Sequence, residues 1–265
     1  MTDDISSTPP VALFQSQRQQ EIAALAMENG RVEVSELAHR FNVTTETIRR
    51  DLSELQAHRL VRRVHGGATP WETGGFEPLL SKRDDQHEAE KRRIARAAVD
   101  ELPDTGSVII DSGSTAGRFA EALPASVRLR FVTNSLLIAR ILSERTAADV
   151  IVIGGKVRKN TLAMVDTQAI EGVEPLRVDT VFMSADASTA AAGLTTPYRE
   201  EAAWKKAIIR SARRVVMLLD HSKFDDEHFI RFAHWSDIDV LITNSETDPD
   251  QLAVIEAGGT TVVTA

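Results

Sequence analysis

From residue 15 to about residue 29, Ile22, Leu25 and Ala26 recur at helical spacing, and Gly30 supplies a stop. Residues 31–34 (RVEV) alternate, as a very short strand does. Residues 35–41 predict a helix with Ser35 as N-cap and Leu37, Ala38 and Phe41 on one face. A turn at Asn42-Val43 leads into VTTETIRRDLSEL (43–55), where the pattern is sharpest. Thr44 suits the N-cap, Val43 and Ile48 form a hydrophobic staple, and Glu46 suits the positive helix end. At 100° per residue Ile48, Leu52 and Leu55 share one face, Thr47, Arg50 and Glu54 the other, with Arg49 on a flank. Residues 60–68 then alternate Val with Arg and stop at Gly66-Gly67, as a β-wing would. Helix, short helix, tight turn, capped helix and basic wing together predict a winged helix-turn-helix.

The pattern changes after residue 70. Residues 71–90 are rich in Pro, Gly and charge and read as a linker. Beyond them, short Val/Ile-rich runs (107–111, 128–133, 150–155, 179–184, 215–220, 237–243, 260–265) alternate with amphipathic helices (115–123, 135–142, 199–212, 249–257). That alternation predicts an α/β fold, Rossmann-like, with a mostly parallel sheet. The expected organisation is a tail over 1–13, the winged helix-turn-helix over 14–70, a linker over 71–90 and an α/β domain over 91–265.

Charge sharpens the division. The chain carries a formal net charge of −8, yet residues 14–70 hold eight Arg against seven acidic residues. A basic balance confined to one end of an acidic protein suits contact with nucleic acid there. There is no cysteine, which excludes disulfides, thiolate nucleophiles and cysteine metal sites. No apolar run approaches the about 18 residues of a membrane span, and the acidic N-terminus is unlike a signal peptide, so the expected location is cytoplasmic, with no membrane partner.

The candidate chemistry lies at strand ends, where open α/β sheets bind ligands. Asp111-Ser112-Gly113-Ser114-Thr115 turns a strand into a helix, offering hydroxyls, a close-approaching glycine and free helix N–H groups, which suits a phosphate. Thr133 and Asn134 end the second strand. Gly154, Gly155, Lys156 and Arg158 follow the third, and Lys223 follows a later one. Asp111, Asp186, Glu201 and Lys205 are candidate acid–base groups, although Glu201 and Lys205 also read as a surface i,i+4 pair. The His and acidic residues near 220–228 lack metal-ligand spacing and read as a solvated loop. No metal and no cofactor is expected.

These motifs resemble the DeoR family of bacterial transcriptional regulators over residues 15–245. TIRRDLSEL (47–55) and RRVHGGA (62–68) are similar to its winged helix-turn-helix, and Arg83, Lys91, Ile94 and Ala95 fit its passage into the second domain. DSGST (111–115), TNS (133–135), GGKVR (154–158), GLTTP (193–197), EEAAWKKAI (200–208) and DHSKF (220–224) are similar to its effector domain, which itself resembles ribose-phosphate isomerase. The resemblance implies a repressor of a carbohydrate-use operon, released from DNA by a phosphorylated sugar. It assigns Asp111, Ser112, Gly113, Ser114, Thr115, Thr133, Asn134, Gly154, Gly155, Lys205 and Lys223 to the effector, with Arg158 and Asp186 beside them. Asp166 and Asp186 stand where the family is usually richer in Gly, adding carboxylates that either disfavour a highly anionic ligand or bind sugar hydroxyls and amines.

On this reading Thr44, Thr45, Thr47, Arg49 and Arg50 meet operator DNA from the helix, and Arg62, Arg63 and His65 from the wing. Two half-sites imply a homo-oligomer, a dimer or tetramer. A rival reading is a sugar-phosphate isomerase carrying a helix-turn-helix appendage. Another is a metabolite-binding adaptor with no role on DNA.

Overall fold

The computed structural model describes residues 15–57, 60–64, 66–70 and 80–265. The chain divides into two compact units, Met1–Pro78 and Leu79–Ala265.

The first unit runs α1 (Gln15–Asn29), β1 (Val32–Glu33), α2 (Val34–Phe41), α3 (Thr45–Ala57), β2 (Val61–Val64) and β3 (Gly67–Pro70). The strands form one antiparallel sheet with β3 between β1 and β2. Ile22, Ala26, Val32, Leu37, Ile48, Leu52, Leu55, Val61 and Ala68 make its core. Ser35 is not the cap of α2. The helix begins a residue earlier, behind Glu33, because β1 pairs with β3 and the Val34 N–H donates to the Gly66 carbonyl (2.8 Å). Strand pairing supplies the partner that a side-chain cap would otherwise supply. At the other end Asn42 takes the left-handed conformation (φ 50°), which Asn tolerates, and the Val43 N–H donates to the Ala38 carbonyl (3.0 Å). That closes the turn between α2 and α3.

The second unit begins with α4 (Leu80–Asp85) and α5 (Glu88–Val99), both inside or overlapping the span expected to be linker. Ile94, Ala95 and Ala98 of α5 are core residues, which explains the helix. Then come β4 (Ser107–Ile110), α6 (Ser114–Ala122), β5 (Arg130–Thr133), α7 (Leu136–Arg145), β6 (Asp149–Val152), the hairpin β7 (Val157–Arg158) and β8 (Ala163–Met164), and α8 (Thr167–Val173). The chain continues through β9 (Val178–Met183), β10 (Ala187–Thr189), β11 (Gly193–Thr196), α9 (Arg199–Ser211) and β12 (Ala212–Leu218). It finishes with β13 (Ile230–Ala233), β14 (Val240–Thr243), α10 (Pro249–Ala257) and β15 (Thr261–Thr264).

Seven strands form a parallel sheet in the order β15-β14-β12-β9-β4-β5-β6, as the alternating pattern predicts. Successive side chains alternate between two cores. Val108, Ile110, Phe131, Phe182, Val216 and Leu218 pack beneath α5, α6 and α7, while Ile109, Val132, Val181, Met183 and Met217 face the side of α8 and α9. Each large apolar side chain so buried contributes about 1.5–3 kcal/mol. The chain winds outward from β4 through β5 to β6, and from β9 through β12 and β14 to β15. The direction reverses between β4 and β9, and such a switch point leaves a crevice at the carboxyl ends of the strands. A second sheet, β10-β11-β13, is antiparallel and was not apparent in the sequence.

Candidate functional sites

In the first unit, α3 is capped as its sequence predicts. Thr44 Oγ1 accepts the Thr47 N–H (3.2 Å), and the two hydroxyls lie 2.9 Å apart. Ile48, Leu52 and Leu55 are buried, which leaves Thr44, Thr45, Arg49 and Arg50 exposed and Thr47 half-buried. The Arg50 side chain is 82% exposed and only brushes Glu54 (3.9 Å), while Arg49 approaches Glu46 (3.4 Å). Both guanidiniums can therefore leave these contacts for a stronger anion. Arg62 and Arg63 are exposed on β2, but they differ. The Arg63 N–H donates to Gln56 Oε1 (2.8 Å) and its guanidinium to Ser53 Oγ (2.9 Å), so Arg63 ties the wing to α3. His65 lies outside the described residues.

Asp51 escaped the sequence reading. It is buried on α3 and accepts from Arg18 Nε (2.6 Å) and Gln19 Nε2 (3.2 Å), which binds α3 to α1. Its position three residues after Ile48 and four before Leu55 was the available signal.

In the second unit the switch point is lined with buried charge. Asp111 follows β4. One of its oxygens accepts from Trp204 Nε1 (2.8 Å) and the other from Lys205 Nζ (2.6 Å), and Lys205 also donates to the Ser184 carbonyl beyond β9 (2.8 Å). Burial works to lower the Lys205 pKa, but Asp111, Glu201 and Asp186 more than offset it and hold the amine charged. Glu201 is also buried. It accepts from Thr196 Oγ1 (3.0 Å) and pairs with Arg158, whose guanidinium lies over the Tyr198 ring (4.4 Å). The i,i+4 spacing of Glu201 and Lys205 is thus not a surface pair, because α9 buries that face on the sheet.

Asp186 is similarly compensated. It meets Arg83 (3.3 Å) and the Thr196 hydroxyl (2.7 Å). Burial raises its pKa, yet the cations of Arg83, Lys205 and Lys223 outweigh burial and leave it below the usual carboxylate range. Asp166 has another use. It caps α8, accepting the Ala169 N–H (3.1 Å) and the Lys156 N–H (2.8 Å), and these bonds hold it ionised. Gly155 has φ +148°, and a Cβ there would lie 2.3 Å from Asp166 Oδ1. Gly154 and Gly155 therefore shape a turn after the edge strand β6, two strands away from β4. The extra carboxylate expected to repel an anion is spent on backbone N–H groups.

Gly113 is the N-cap position of α6 at φ +137°, where a Cβ would meet Ser184 Oγ at 2.8 Å. Ser114 and Thr115 are buried at the first turn of α6, with Ser112 half-buried before them. Thr133 and Asn134 end β5 and are buried; the Thr133 hydroxyl accepts the Ser135 N–H (3.1 Å), and Asn134 Nδ2 donates to the Met164 carbonyl (2.9 Å).

Three residues join this group that strand-end reasoning missed. Arg83 comes from α4, Lys91 from α5, and Asp220 from the end of β12. Lys91 Nζ donates to the Arg83 and Gln86 carbonyls, and burial, aided by Lys223 and Arg83, pushes its pKa down to about 8. Lys223 is likewise lowered by burial and by Arg83. Asp220 was read as part of a solvated loop, but it is fully buried; its Oδ1 accepts the Ser222 N–H (3.1 Å). Asp220 Oδ2 and Asn134 Oδ1 are buried without a hydrogen-bond partner among the described residues.

His87, Glu90 and His221 place ligand-type atoms within 4.8 Å of one another. Asn244 takes the His221 N–H on Oδ1 (2.8 Å) and faces His221 Nδ1 with Nδ2 (3.0 Å). That assigns the ring proton to Nε2 and occupies the other lone pair, so the trio does not fit a metal. Among the described residues no helix is long and apolar enough to cross a membrane.

A winged helix-turn-helix followed by a doubly wound unit with charge at its switch point defines a DNA-binding protein with a sensor domain. The chain belongs to the DeoR family of transcriptional regulators: residues 18–73 match the DeoR-like helix-turn-helix domain and residues 86–245 the DeoR C terminal sensor domain. It is 34% identical to the HTH-type transcriptional regulator GlpR of Haloferax volcanii over 95% of this chain and 98% of that protein. It is 31% identical to the glycerol-3-phosphate regulon repressor of Escherichia coli K12 over 87% of this chain and 91% of that protein. Among solved structures, ribose 5 phosphate isomerase A from Neisseria gonorrhoeae is similar over 54% of each chain, with 20% identity and a TM-score of 0.38.

Proposed function

We propose that this regulator is a cytoplasmic repressor that leaves its operator when a phosphorylated sugar or polyol occupies the switch-point site. The observation that carries this reading is the pairing of cations with unmatched acceptors. Arg83, Lys91, Lys205 and Lys223 converge near the Asp111 turn, which suits a phosphate. Asn134 Oδ1 and Asp220 Oδ2 wait for donors, which suits hydroxyls. The Ser112–Thr115 turn adds the start of α6.

On DNA, Thr45, Thr47, Arg49 and Arg50 enter the major groove and Arg62 holds phosphate, while Arg63 positions the wing. A homo-oligomer presents two such heads to two half-sites. The ligand acts only if it binds better to the state whose heads do not fit, since equal affinity shifts nothing.

Fluorescence anisotropy on DNA from upstream of its own gene tests this, with a series of salt concentrations and a panel of sugar and polyol phosphates that includes glycerol 3-phosphate. The expected result is a fall of about 10³–10⁵ in affinity between 50 and 200 mM salt for 6–10 phosphate contacts, and release by one panel member. Affinity that is equal on random DNA, or indifferent to the whole panel, overturns the reading. Lys223→Ala is expected to keep DNA affinity and lose release.

A further inference from the structure

Three cations of the switch-point site already face a carboxylate of their own chain: Arg83 meets Asp186, Arg158 meets Glu201 and Lys205 meets Asp111. A phosphate entering there gains one of these cations only by taking it from its carboxylate. The pairs are not equally easy to open. Lys205 and Asp111 lie 2.6 Å apart, with side chains 7% and 1% exposed, and Arg158 and Glu201 are closer still. Arg83 and Asp186 are 3.3 Å apart, with side chains 15% and 17% exposed. That separation exceeds the about 2.7–2.9 Å of a strong charged hydrogen bond. Arg83 is therefore the cation that an incoming anion takes.

Opening that pair leaves Asp186 short of donors. Its other oxygen accepts from the Thr196 hydroxyl (2.7 Å), but the same hydroxyl stands 3.0 Å from Glu201 Oε2. A hydroxyl has one proton, so Thr196 serves one of the two carboxylates at a time. The need for donors extends to the next carboxylate. Lys223 lies within electrostatic reach of both Asp186 and Asp220, and Asp220 Oδ2 is buried without a hydrogen-bond partner among the described residues.

We propose that Asp186 is the specificity residue of the sensor site: it turns away a phosphate group that brings no hydroxyl, and it admits a phosphate ester whose own hydroxyl donates to the carboxylate that has lost Arg83. The head group alone does not fill that role. A phosphate monoester near neutral pH is close to a dianion with no proton to give, so its oxygens repel those of Asp186 while both address Arg83. A polyol phosphate carries the missing donor on the same molecule. A site built to accept from a hydroxyl rejects the analogue that lacks one, because the buried acceptor is then left unpaired.

This rests on the phosphorylated-ligand reading above. Isothermal titration calorimetry of the full chain with methyl phosphate and with glycerol 3-phosphate tests it, since the two share a head group and differ in hydroxyls. The wild type is expected to prefer glycerol 3-phosphate by about 10–100-fold. Asp186→Asn removes a negative charge, which strengthens the binding of any anion, so the deciding quantity is the ratio of the two affinities. In that variant the ratio is expected to fall by about tenfold, because methyl phosphate gains more than glycerol 3-phosphate does. Asp186→Ser, smaller and also neutral, repeats the measurement should the asparagine variant prove unstable in urea. Where another member of the panel is the one that releases DNA, it takes the place of glycerol 3-phosphate in the ratio. A ratio unchanged in the folded variants overturns the filter, as does a wild type that binds both esters equally. Release of DNA by a panel member keeps the phosphorylated-ligand reading standing in either case. If no panel member binds or releases DNA, the reading falls and the filter with it.

Discussion

The two units place their charges in opposite ways. On the DNA-binding unit, Arg49, Arg50 and Arg62 stand in solvent above an apolar core that does not need them. In the sensor unit, Asp111, Glu201 and Lys205 are buried, and each needs a partner held by the fold: Asp111 and Lys205 pair with each other, and Glu201 with Arg158. Function is separable from folding in the first case and fused with it in the second. The largest test of that contrast is Lys205→Met. It strands Asp111 without its cation and takes one of the cations from Glu201 and Asp186, which keep Arg158 and Arg83, and removing one member of a buried ionic group costs about 3–5 kcal/mol. The sensor unit's urea midpoint should fall accordingly. Adding Asp111→Asn should recover part of the loss, because the unpaired charge is then gone. A single variant that unfolds like the wild type breaks the contrast.

Arg50→Ala is the counterpart on the other unit. With an 82% exposed side chain and a weak contact to Glu54, it should leave the unfolding midpoint within error. Operator affinity should fall by about 10–100-fold, and the binding should become less steep in salt. Equal losses of stability and affinity would mean that the arginine is structural.

The same contrast explains what the sequence made legible. Helix α3 could be read because its cap, its staple and its Ile48–Leu52–Leu55 face all lie within one short segment. The parallel sheet could be read because each strand is a compact Val/Ile run. The sensor site was read only in the part contributed by strand ends. Arg83 and Asp186 are 103 residues apart, and Lys205 and Asp111 are 94 apart. No periodicity within a helix reports such a meeting. Glu201 and Lys205 show the consequence: local spacing suggested a surface pair, and the sheet that buries them was out of view. Asp166 shows the reverse case, a carboxylate whose role lies ten residues away at the Lys156 N–H and three residues away at the Ala169 N–H. Helices α4 and α5 were missed because their charge looked like a linker's, although Arg83 and Lys91 use that charge inward.

Proton concentration separates the units without any substitution. Lys91 titrates at about 8 because burial disfavours its charged form. Below that pH it is charged in the folded and the unfolded chain alike. Between about 8 and its ordinary value only the unfolded chain keeps the proton, so folding stability rises with pH over that window. The charge it offers an anion falls over the same window. Release of DNA by a phosphorylated ligand should therefore need up to about tenfold more ligand per pH unit above 8. Ligand-free DNA affinity, resting on arginines that stay protonated, should be flat between pH 7.5 and 9. Anisotropy titrations at both ends of that range decide it; parallel shifts of both affinities would show that the contrast is not electrostatic.

The smallest expected effect probes where the units should behave alike, in the folding of a helix. Thr44→Ala removes the oxygen that accepts the Thr47 N–H at 3.2 Å, leaving one helix-end donor to water. A lost cap costs about 1 kcal/mol. Thr44→Ser keeps the oxygen and should cost a few tenths at most. If Thr44 also touches DNA, alanine should weaken operator binding beyond what the lost stability explains, and serine should restore it. The first unit's thermal midpoint and operator affinity, measured on both variants, distinguish these roles. A drop in affinity with an unmoved midpoint assigns Thr44 to the DNA face. A drop in the midpoint with unmoved affinity leaves it as the cap that presents Arg49 and Arg50.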